Sequence, residues 1–149
     1  MKRKRPIPEP APLLQVACAV IADHQGRLFA ARRGPGGRHA FCWELPGGKL
    51  EPGETAQACV ARELREELGL TVEAGAAWDP VFHQEPGFRI RLIPVVCRIT
   101  AGVPTPAEHG ETGWFSPQAL RKLNWSPADI PVIERWMKEA SPSDPAEGL

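Results

Sequence analysis

An unbroken run of apolar and β-branched residues covers Leu13–Ala22, and such a run is typical of a central strand buried on both faces. Turn-forming residues follow at Asp23–Gly26, and Arg27–Arg33 then repeats the strand pattern. Two strands separated by a short turn predict a β-hairpin. We therefore expect a hairpin at the start of the folded part of the chain.

Glycine and proline divide the next part of the chain. Gly34–Ala40 has the composition of a loop, and Phe41–Gly48 is a short extended piece that ends in Pro46 and two glycines. A turn then leads into a helix whose apolar spacing runs from about Thr55 to Leu68, with Gly69 at the C-cap position. The pattern thus predicts a loop, a short strand and a helix, in this order.

The second half returns to strands and closes with helices. We expect strands over Ala77–His83 and Phe88–Ile99, a long loop over Pro104–Gly113 and a short strand over Trp114–Ser116. Two Ser-Pro pairs, in SPQALRKL and SPADIPVIERWMKEA, fit a helix N-cap followed by the first helical position. The order β-β-β-α-β-β-β-α-α predicts the α/β class, with a mixed sheet and helices on both faces.

Composition places these elements in one domain. The 149 residues suffice for one core, and we divide them into a disordered basic N-terminal arm (1–12), a domain (13–140) and a flexible tail (141–149). The 18 basic and 18 acidic residues balance, so a general nucleic-acid or membrane binder is not expected. The Lys2–Arg5 cluster is interpreted as a solvated tail, with phosphate contact as the alternative.

A cytoplasmic protein is expected from the absence of targeting signals. No apolar run approaches the roughly 18 to 20 residues of a membrane span, and the basic N-terminus leads into prolines instead of a signal-peptide core. The cysteines are widely spaced and form no CxxC pair, which favours buried reduced thiols over zinc ligands or disulfides. They are Cys18, Cys42, Cys59 and Cys97.

The predicted helix carries an acidic cluster beside its apolar face. At about 100° per residue, Glu66 and Glu67 both fall within about 60° of Glu63. A plainly solvated helix would more often place Lys or Arg four residues after Glu63, where this chain has Glu67. Arg62 is positioned to brace the cluster from the side. Clustered carboxylates near a loop suit Mg²⁺ or Mn²⁺, which also bind substrate phosphates.

This segment resembles the Nudix box, G-x5-E-x7-R-E-U-x-E-E-x-G-U, where U is a bulky aliphatic residue. The chain matches every specified position, with Gly48, Glu54, Arg62, Glu63, Leu64, Glu66, Glu67, Gly69 and Leu70. The segments WELPGG, AEHGETGWFS and NWSPADIPVI resemble the MutT-type branch, and the likeness covers roughly residues 14–137. The resemblance implies a Nudix α/β/α sandwich with a mixed sheet, and hydrolysis of a nucleoside diphosphate linked to another group.

The resemblance also implies roles for individual residues. Glu63, Glu66 and Glu67 are the implied metal ligands, and the carbonyl of Gly47 completes the set. Glu108 matches a loop acid that approaches the metals, as a further candidate ligand, and orients or deprotonates the attacking water, with a plain loop acid as the alternative. Glu63 and Glu108 are therefore the candidate catalytic bases. The structural positions of the box are Gly48, Glu54, Arg62 and Gly69.

Candidate substrate-binding residues lie mostly outside the box. They are Arg33, Arg38, Glu44, Leu45, Pro46, Gly47 and Asp129. Arg33 is either a phosphate or base contact or a plain surface residue. Asp129 stands where the 8-oxoguanine-specific family member has Asn; an ionised Asp only accepts hydrogen bonds, from an oxidised guanine or from the amino group of cytosine. A favourable position in a first helical turn is the other explanation of Asp129.

The implied reaction is Mg²⁺- or Mn²⁺-dependent hydrolysis of nucleoside triphosphates to a nucleoside monophosphate and pyrophosphate. The expected substrate is 8-oxo-dGTP, with nucleotide-pool sanitising in DNA repair as the role. CTP or dCTP is the alternative substrate, a non-hydrolytic nucleotide sensor is the alternative class, and RNA pyrophosphate removal would need a larger basic surface. We expect a small nucleotide as partner, no stable nucleic-acid complex, no membrane contact, and a monomer or weak dimer.

Overall fold

A computed structural model describes residues 11–105 and 110–140 of the chain. In chain order the elements are β1 (Leu13–Ile21), β2 (Leu28–Arg32), β3 (Trp43–Glu44), β4 (Gly47–Lys49), α1 (Ala56–Leu68), β5 (Thr71–Ala77), β6 (Val81–Glu85), β7 (Phe88–Ala101), β8 (Glu111–Phe115), α2 (Pro117–Leu120) and α3 (Ile130–Ala140), with a 3-10 turn at Pro127–Asp129 before α3. Of the predicted N-terminal arm only Ala11 and Pro12 are described, and both carbonyls accept hydrogen bonds from Arg89. The predicted tail lies outside the described residues.

The strands form two sheets. In the larger one, β1 is parallel to β7 and antiparallel to β4, and β5 and β6 both pair with β7. The smaller sheet has the order β3-β2-β8. The predicted α/β class with a mixed sheet is confirmed, although the strands divide between two sheets. No helix among the described residues is long and apolar enough to span a membrane.

Alternation along β1 explains its continuous apolar run. Successive side chains of a strand point to opposite faces. Ala17, Ala19 and Ile21 therefore join the core that contains the buried face of α1, whereas Cys18 and Val20 join the core that contains α3. Helices cover both faces of the sheet, as the sequence predicted. All four cysteines are buried free thiols, which confirms that prediction.

The predicted hairpin of β1 and β2 is wrong. The turn forms, since the side chain of Asp23 accepts from the backbone N–H groups of Gln25 and Arg27. Beyond it the strands share only one bridge, between Ala22 and Leu28. The reason is that β4 and β7 already occupy the two edges of β1, so that β2 continues into the smaller sheet and pairs with β3 and β8.

The predicted strand Ala77–His83 is also wrong in its bounds, because it spans the break between β5 and β6. Pro80 has no N–H for a ladder, and the N–H of Trp78 instead bonds to the carbonyl of Pro94 at 2.8 Å. Most of β5 was missed because its sequence, TVEAGAA, is rich in weak strand formers. The last strand begins earlier than predicted, at Glu111.

The helix ends largely follow the predicted chemistry. The Oγ1 of Thr55 accepts from the N–H of Ala58 at 3.1 Å and caps α1, and Gly69 ends it in the left-handed region with φ of 67°. Ser116 caps α2 through a hydrogen bond from the N–H of Ala119. Ser126 is different: it precedes the 3-10 turn, but its side chain makes no capping hydrogen bond.

Candidate active site

One arginine organises the acidic cluster of α1. Arg62 binds Glu54 with two parallel contacts, from Nε to Oε2 at 2.8 Å and from Nη2 to Oε1 at 2.9 Å. Its Nη1 donates to Oε1 of Glu63 at 2.8 Å and lies 3.5 Å from Oε2 of Glu66. Its Nη2 also donates to the carbonyl of Lys49 at 3.2 Å. A single cation therefore orients three carboxylates and holds β4 against the helix.

Two glycines bring β4 close enough for this arrangement. A Cβ on Gly48 would lie 2.4 Å from the carboxyl carbon of Glu63, so a side chain there would displace this carboxylate. A Cβ on Gly47 would lie 1.9 Å from the carbonyl oxygen of Ala17, in the backbone of β1. The backbone of β4 therefore runs directly beside Glu63, where a larger residue does not fit.

Glu63 and Glu67 lie one helical turn apart on α1, so their carboxylates repel each other when both are ionised. Partial burial raises the pKa of Glu67 to about 7, with further contributions from the hydrogen bond to Glu63 and from the negative charges of Glu63, Glu44 and Glu66. The rest of the Glu67 side chain is largely exposed. Either a proton or a cation relieves this repulsion.

The donor set of the cluster fits a hard divalent cation. Glu63, Glu66 and Glu67 offer carboxylate oxygens, and Gly47 offers a carbonyl on the neighbouring strand; such ligands suit Mg²⁺ or Mn²⁺. Over residues 11–105 and 110–140, no three acidic, histidine or cysteine side chains already form a closed ligand set. Glu108, the other implied ligand and candidate base, lies outside the described residues.

An outer cavity of about 630 Å³ opens beside the acidic cluster. Glu66 and Glu67 of α1 line one side of it, and Arg33 and Glu44 line another. The Nη1 of Arg33 lies 3.6 Å from Oε2 of Glu44. The outer cavity thus combines the acids of α1 with a cation on the end of the smaller sheet.

An inner cavity of about 330 Å³ lies against the larger sheet. Its apolar lining from β1 and β7 consists of Leu14, Val16, Ala17, Cys18, Phe88, Ile90 and Leu92. Arg33 and Glu44 line this cavity as well as the outer one, so the two adjoin. A flat apolar group in the inner cavity can therefore be connected to a charged group in the outer cavity.

Asp129 is a buried acid of the inner cavity, only 6% exposed. Its Oδ2 accepts a hydrogen bond from the N–H of Leu45 at 2.7 Å, which joins the turn before α3 to the segment between β3 and β4. Burial raises the pKa of Asp129 to about 7; the charge of Glu44 adds to this effect, and the Leu45 hydrogen bond and Arg33 oppose it.

A second buried acid, Glu85, lines the same cavity. Nε2 of His39 lies 2.6 Å and Nε2 of His83 lies 3.6 Å from its Oε1. Nη1 of Arg38 lies 3.9 Å from its Oε2. His39 has φ of 56°, an unfavourable backbone conformation for a residue with a Cβ. These contacts fasten the loop Gly34–Ala40 to the β6–β7 hairpin beside the cavity.

The fold thus brings most of the predicted site residues to the two cavities. The described residues at them are Arg33, Arg38, Glu44, Leu45, Gly47, Gly48, Glu66, Glu67 and Asp129, whereas Glu63 lines neither cavity. Pro46 has a different place, since its carbonyl accepts from the N–H of Ala19 on β1. Glu85 and Ser126 were not predicted as site residues. Glu85 begins a turn-like EPG sequence after a predicted strand, and Ser126 resembles a helix cap.

Comparisons with known proteins show which family the chain belongs to. The NUDIX domain family matches residues 12–136. The chain is 32% identical over 134 residues to the CTP pyrophosphohydrolase of Escherichia coli K12, covering 89% of this chain and 98% of that protein. It is 32% identical over 122 residues to the 8-oxo-dGTP diphosphatase of the same strain, covering 82% of this chain and 95% of that protein.

A solved structure shows the same fold. The crystal structure of the MutT protein from Methanosarcina mazei Go1 matches with a TM-score of 0.76 and 28% identity, over 88% of this chain and 97% of that chain. Nudix hydrolases generally use divalent metal ions such as Mg²⁺, in keeping with the oxygen donors of α1. The chain belongs to the NUDIX family and is a Nudix hydrolase of the MutT type.

Proposed function

We propose that this protein hydrolyses nucleoside triphosphates to a nucleoside monophosphate and pyrophosphate, with Mg²⁺ or Mn²⁺ as cofactor. The family already gives pyrophosphohydrolase activity on nucleotides. The observation that carries the finer proposal is the junction of the two cavities, with the carboxylates of Glu66 and Glu67 at one end and the buried acid Asp129 beside an apolar lining at the other. This arrangement suits a polyphosphate attached to a base.

Glu63, Glu66 and Glu67 would hold the cation together with the carbonyl of Gly47. When bound, the cation neutralises phosphate charge, lowers the pKa of a water ligand and stabilises the leaving pyrophosphate. Glu63 or Glu108 takes the proton of the attacking water.

The remaining groups position the reactants. Arg62 orients the carboxylates of Glu63 and Glu66, since both lie within 3.5 Å of its Nη1. Arg33 lines both cavities and presents a positive charge where the phosphates would pass from one to the other. Catalysis of phosphoryl transfer depends mostly on such positioning and electrostatics.

We propose 8-oxo-dGTP as the substrate, because an ionised Asp129 accepts hydrogen bonds from N1–H and the exocyclic amine of a guanine. A buried carboxylate that accepts these two hydrogen bonds strongly disfavours bases that lack the matching N–H donors. Support comes from the relative named 8-oxo-dGTP diphosphatase.

Cytidine triphosphates are a second candidate, for a reason that also lies in Asp129. Its Oδ2 already accepts from Leu45, which leaves Oδ1 as the less committed oxygen. One such oxygen suits the single amino group of cytosine. Support comes from the relative named CTP pyrophosphohydrolase.

A panel of nucleotides tests the proposal. Pyrophosphate release is measured for 8-oxo-dGTP, dGTP, dCTP and CTP with Mg²⁺, in the wild type and in Asp129→Asn. We expect one base class to be preferred and the preference to change by about tenfold or more in the variant, because Asn adds a donor where Asp has none. Equal rates for all bases in both proteins would contradict a base-reading role for Asp129.

The alternative class, a nucleotide sensor without turnover, has its own signature. The chain keeps every acid of the box, and Arg62 holds two of them in place, an arrangement that nucleotide binding alone does not require. Calorimetric binding of a nucleotide with no pyrophosphate released over hours in Mg²⁺ or Mn²⁺ would establish the sensor and overturn the proposed hydrolysis.

A further inference from the structure

We infer that the hydroxyl group of Ser126 is a second base-reading group, which contacts the nucleobase together with Asp129. The inference rests on the proposed function and adds a donor to the acceptor already described. Two serines, Ser116 and Ser126, share a Ser-Pro motif but differ in the hydrogen bonds of their hydroxyl groups.

Ser116 and Ser126 each precede a proline at the start of a helical turn. The Oγ of Ser116 accepts a hydrogen bond from the N–H of Ala119 at 3.2 Å, as the side chain of an N-cap serine usually does. The Oγ of Ser126 makes no capping bond; only its backbone carbonyl takes part, by accepting from the N–H of Asp129 at 3.0 Å. The turn at Ser126 therefore forms without its hydroxyl group.

This unused hydroxyl group is buried. Ser126 is 6% exposed, and its Oγ has no hydrogen-bond partner among the described residues. Burying an unpaired hydroxyl group opposes folding, so we expect a ligand or a water to pair with it. Nε2 of His83 is the other unpaired buried side-chain atom in the described part, but Ser126 is the one of the two that lines the inner cavity.

The backbone around Ser126 is fixed on both sides. Its N–H donates to the carbonyl of Trp43 at 2.8 Å, and the carboxylate of Asp129, three residues later, accepts from Leu45 at 2.7 Å. The side chain retains one rotatable bond, χ1, so Oγ can turn toward a group in the cavity while the backbone stays in place. Ser126 and Asp129 then face the same ligand from one turn.

A hydroxyl group complements a carboxylate at a base edge. An ionised Asp129 only accepts hydrogen bonds, whereas a serine hydroxyl also donates. In guanine the acceptor O6 adjoins the N1–H donor, and in cytosine the acceptor N3 adjoins the amino group. Both bases thus place an acceptor next to the donor that Asp129 takes, and we assign Ser126 to that acceptor.

The experiment compares Ser126→Ala with the matched variant Ser116→Ala. The specificity constant kcat/KM is measured for 8-oxo-dGTP, for dCTP and for deoxyribose 5′-triphosphate, which has no base. In Ser126→Ala we expect the ratio of kcat/KM for the preferred nucleotide to that for the base-free compound to fall about threefold to tenfold, the effect of one neutral hydrogen bond. In Ser116→Ala this ratio should stay at the wild-type value.

The two serine variants should differ in stability in the opposite order to their effect on kcat/KM. We expect a lower urea midpoint for Ser116→Ala, which loses a cap, and an equal or higher midpoint for Ser126→Ala, which loses only an unpaired group. An unchanged kcat/KM ratio in Ser126→Ala would overturn the inference. So would a lowered midpoint with equal losses on all three substrates, because that result indicates a structural role or a bound water.

Binding without turnover separates this inference from the proposed hydrolysis. Titration calorimetry of 8-oxo-dGMP and dCMP with metal-free protein should give a Kd about threefold to tenfold weaker in Ser126→Ala for the preferred base. That result supports base reading even if no triphosphate is hydrolysed, in which case the proposed function alone fails. Equal Kd values in the two proteins would overturn the role of Ser126.

Discussion

The two ends of the cleft are built in different ways. The acidic end comes from one continuous segment, Gly47–Leu70, which contains β4, a loop and α1. The other end is the inner cavity, where we propose that the base binds; this base-binding end combines β1, β7, the loop Gly34–Ala40 and the turn Pro127–Asp129, which are far apart in the chain. Local spacing therefore determines the first end, whereas only the tertiary fold determines the second.

Charge is also handled differently at the two ends. At the acidic end Arg62 donates to its neighbours, and these hydrogen bonds lower the pKa of Glu54 to about 2. At the other end Asp129 is desolvated and accepts one backbone hydrogen bond, from Leu45, and its pKa rises to about 7. At the acidic end Glu54 keeps a fixed charge and Glu67 can hold either a proton or a cation, whereas at the other end Asp129 responds to hydrogen-bond donors.

The largest effect is expected from Glu67→Gln at the acidic end. Glutamine keeps the size of the side chain but removes the charge, so pyrophosphate release with Mg²⁺ should fall about 100-fold or more. Repulsion with Glu63 also disappears, and the metal-free protein should be at least as stable as the wild type in urea. Steady-state kinetics and urea unfolding measure the two effects.

Glu139→Gln is the matched control, because Glu139 is an exposed helical acid paired with Arg135 on α3. It should leave both measurements near their wild-type values. Wild-type turnover in Glu67→Gln would remove Glu67 from the ligand set. A loss of turnover accompanied by a loss of stability would instead assign the effect to folding.

The glycines of β4 separate stability from activity at the same end. In Gly47→Ala the new Cβ meets the backbone oxygen of Ala17, which cannot move without shifting β1, so the free energy of unfolding should fall by about 3 kcal/mol or more. In Gly48→Ala the new Cβ meets the carboxyl group of Glu63, the free end of a side chain, so turnover should fall with a much smaller change in stability.

Urea unfolding and pyrophosphate release, both measured on both variants, check this contrast. A stable Gly47→Ala would mean that β4 does not approach β1 so closely. A fully active Gly48→Ala would show that Glu63 can leave its position beside β4 during the reaction, and would weaken its role as ligand and base.

The same difference between local and distant contacts explains which features of the structure could be predicted from the sequence. The box, the bounds of α1, its cap at Thr55 and its end at Gly69 were predictable, because each depends on residues within one or two turns. The central position of β1 was predictable from its unbroken apolar run. The role of Arg62 was predicted from its place beside the acidic cluster and again from the family resemblance, and its contacts lie within the box and the adjoining β4.

Features set by distant partners were not predictable. The partner of β2 depends on which strands occupy the edges of β1, and nothing near Leu28 indicates β8. Glu85 and Ser126 look like ordinary turn and cap residues until the fold places them at one cavity. The base-binding end is therefore the part of the site that sequence spacing describes least.

Asp129, at the base-binding end, should make the free energy of unfolding depend on pH. Its pKa is about 7 in the folded protein and near 3.8 when unfolded, so the folded state binds the extra proton between these values. The free energy of unfolding should therefore decline as pH rises from about 4 through about 7. The full shift corresponds to about 4 kcal/mol, and relaxation of the site should reduce it to about 1–2 kcal/mol.

Asp129→Asn isolates this contribution, because Asn still accepts from Leu45 but does not titrate. Urea unfolding of both proteins at pH 5 and pH 8 should show the variant gaining stability relative to the wild type at the higher pH. Glu67, whose pKa is also raised, titrates in both proteins and cancels in the difference, and Glu44 enters it only through its charge interaction with Asp129. A difference that is the same at both pH values would contradict the shift at Asp129.

The smallest effect is expected from Glu85→Gln, at the edge of the base-binding end. Glutamine can still hydrogen-bond His39 but loses its charge toward Arg38, so the loop Gly34–Ala40 should be held less firmly against the β6–β7 hairpin. Because His39 adopts an unfavourable φ of 56° in this contact, a weaker contact lets the loop relax away from the cavity. We expect KM for the preferred nucleotide to rise about twofold to fivefold with little change in kcat, since pairs of this kind contribute modestly.

Glu73→Gln, which removes the exposed pair with Arg98 on another part of the sheet, should leave KM unchanged. A lower kcat at constant KM in Glu85→Gln would instead connect Glu85 to the acidic end, and the two ends would then not be separable in the way that their construction indicates.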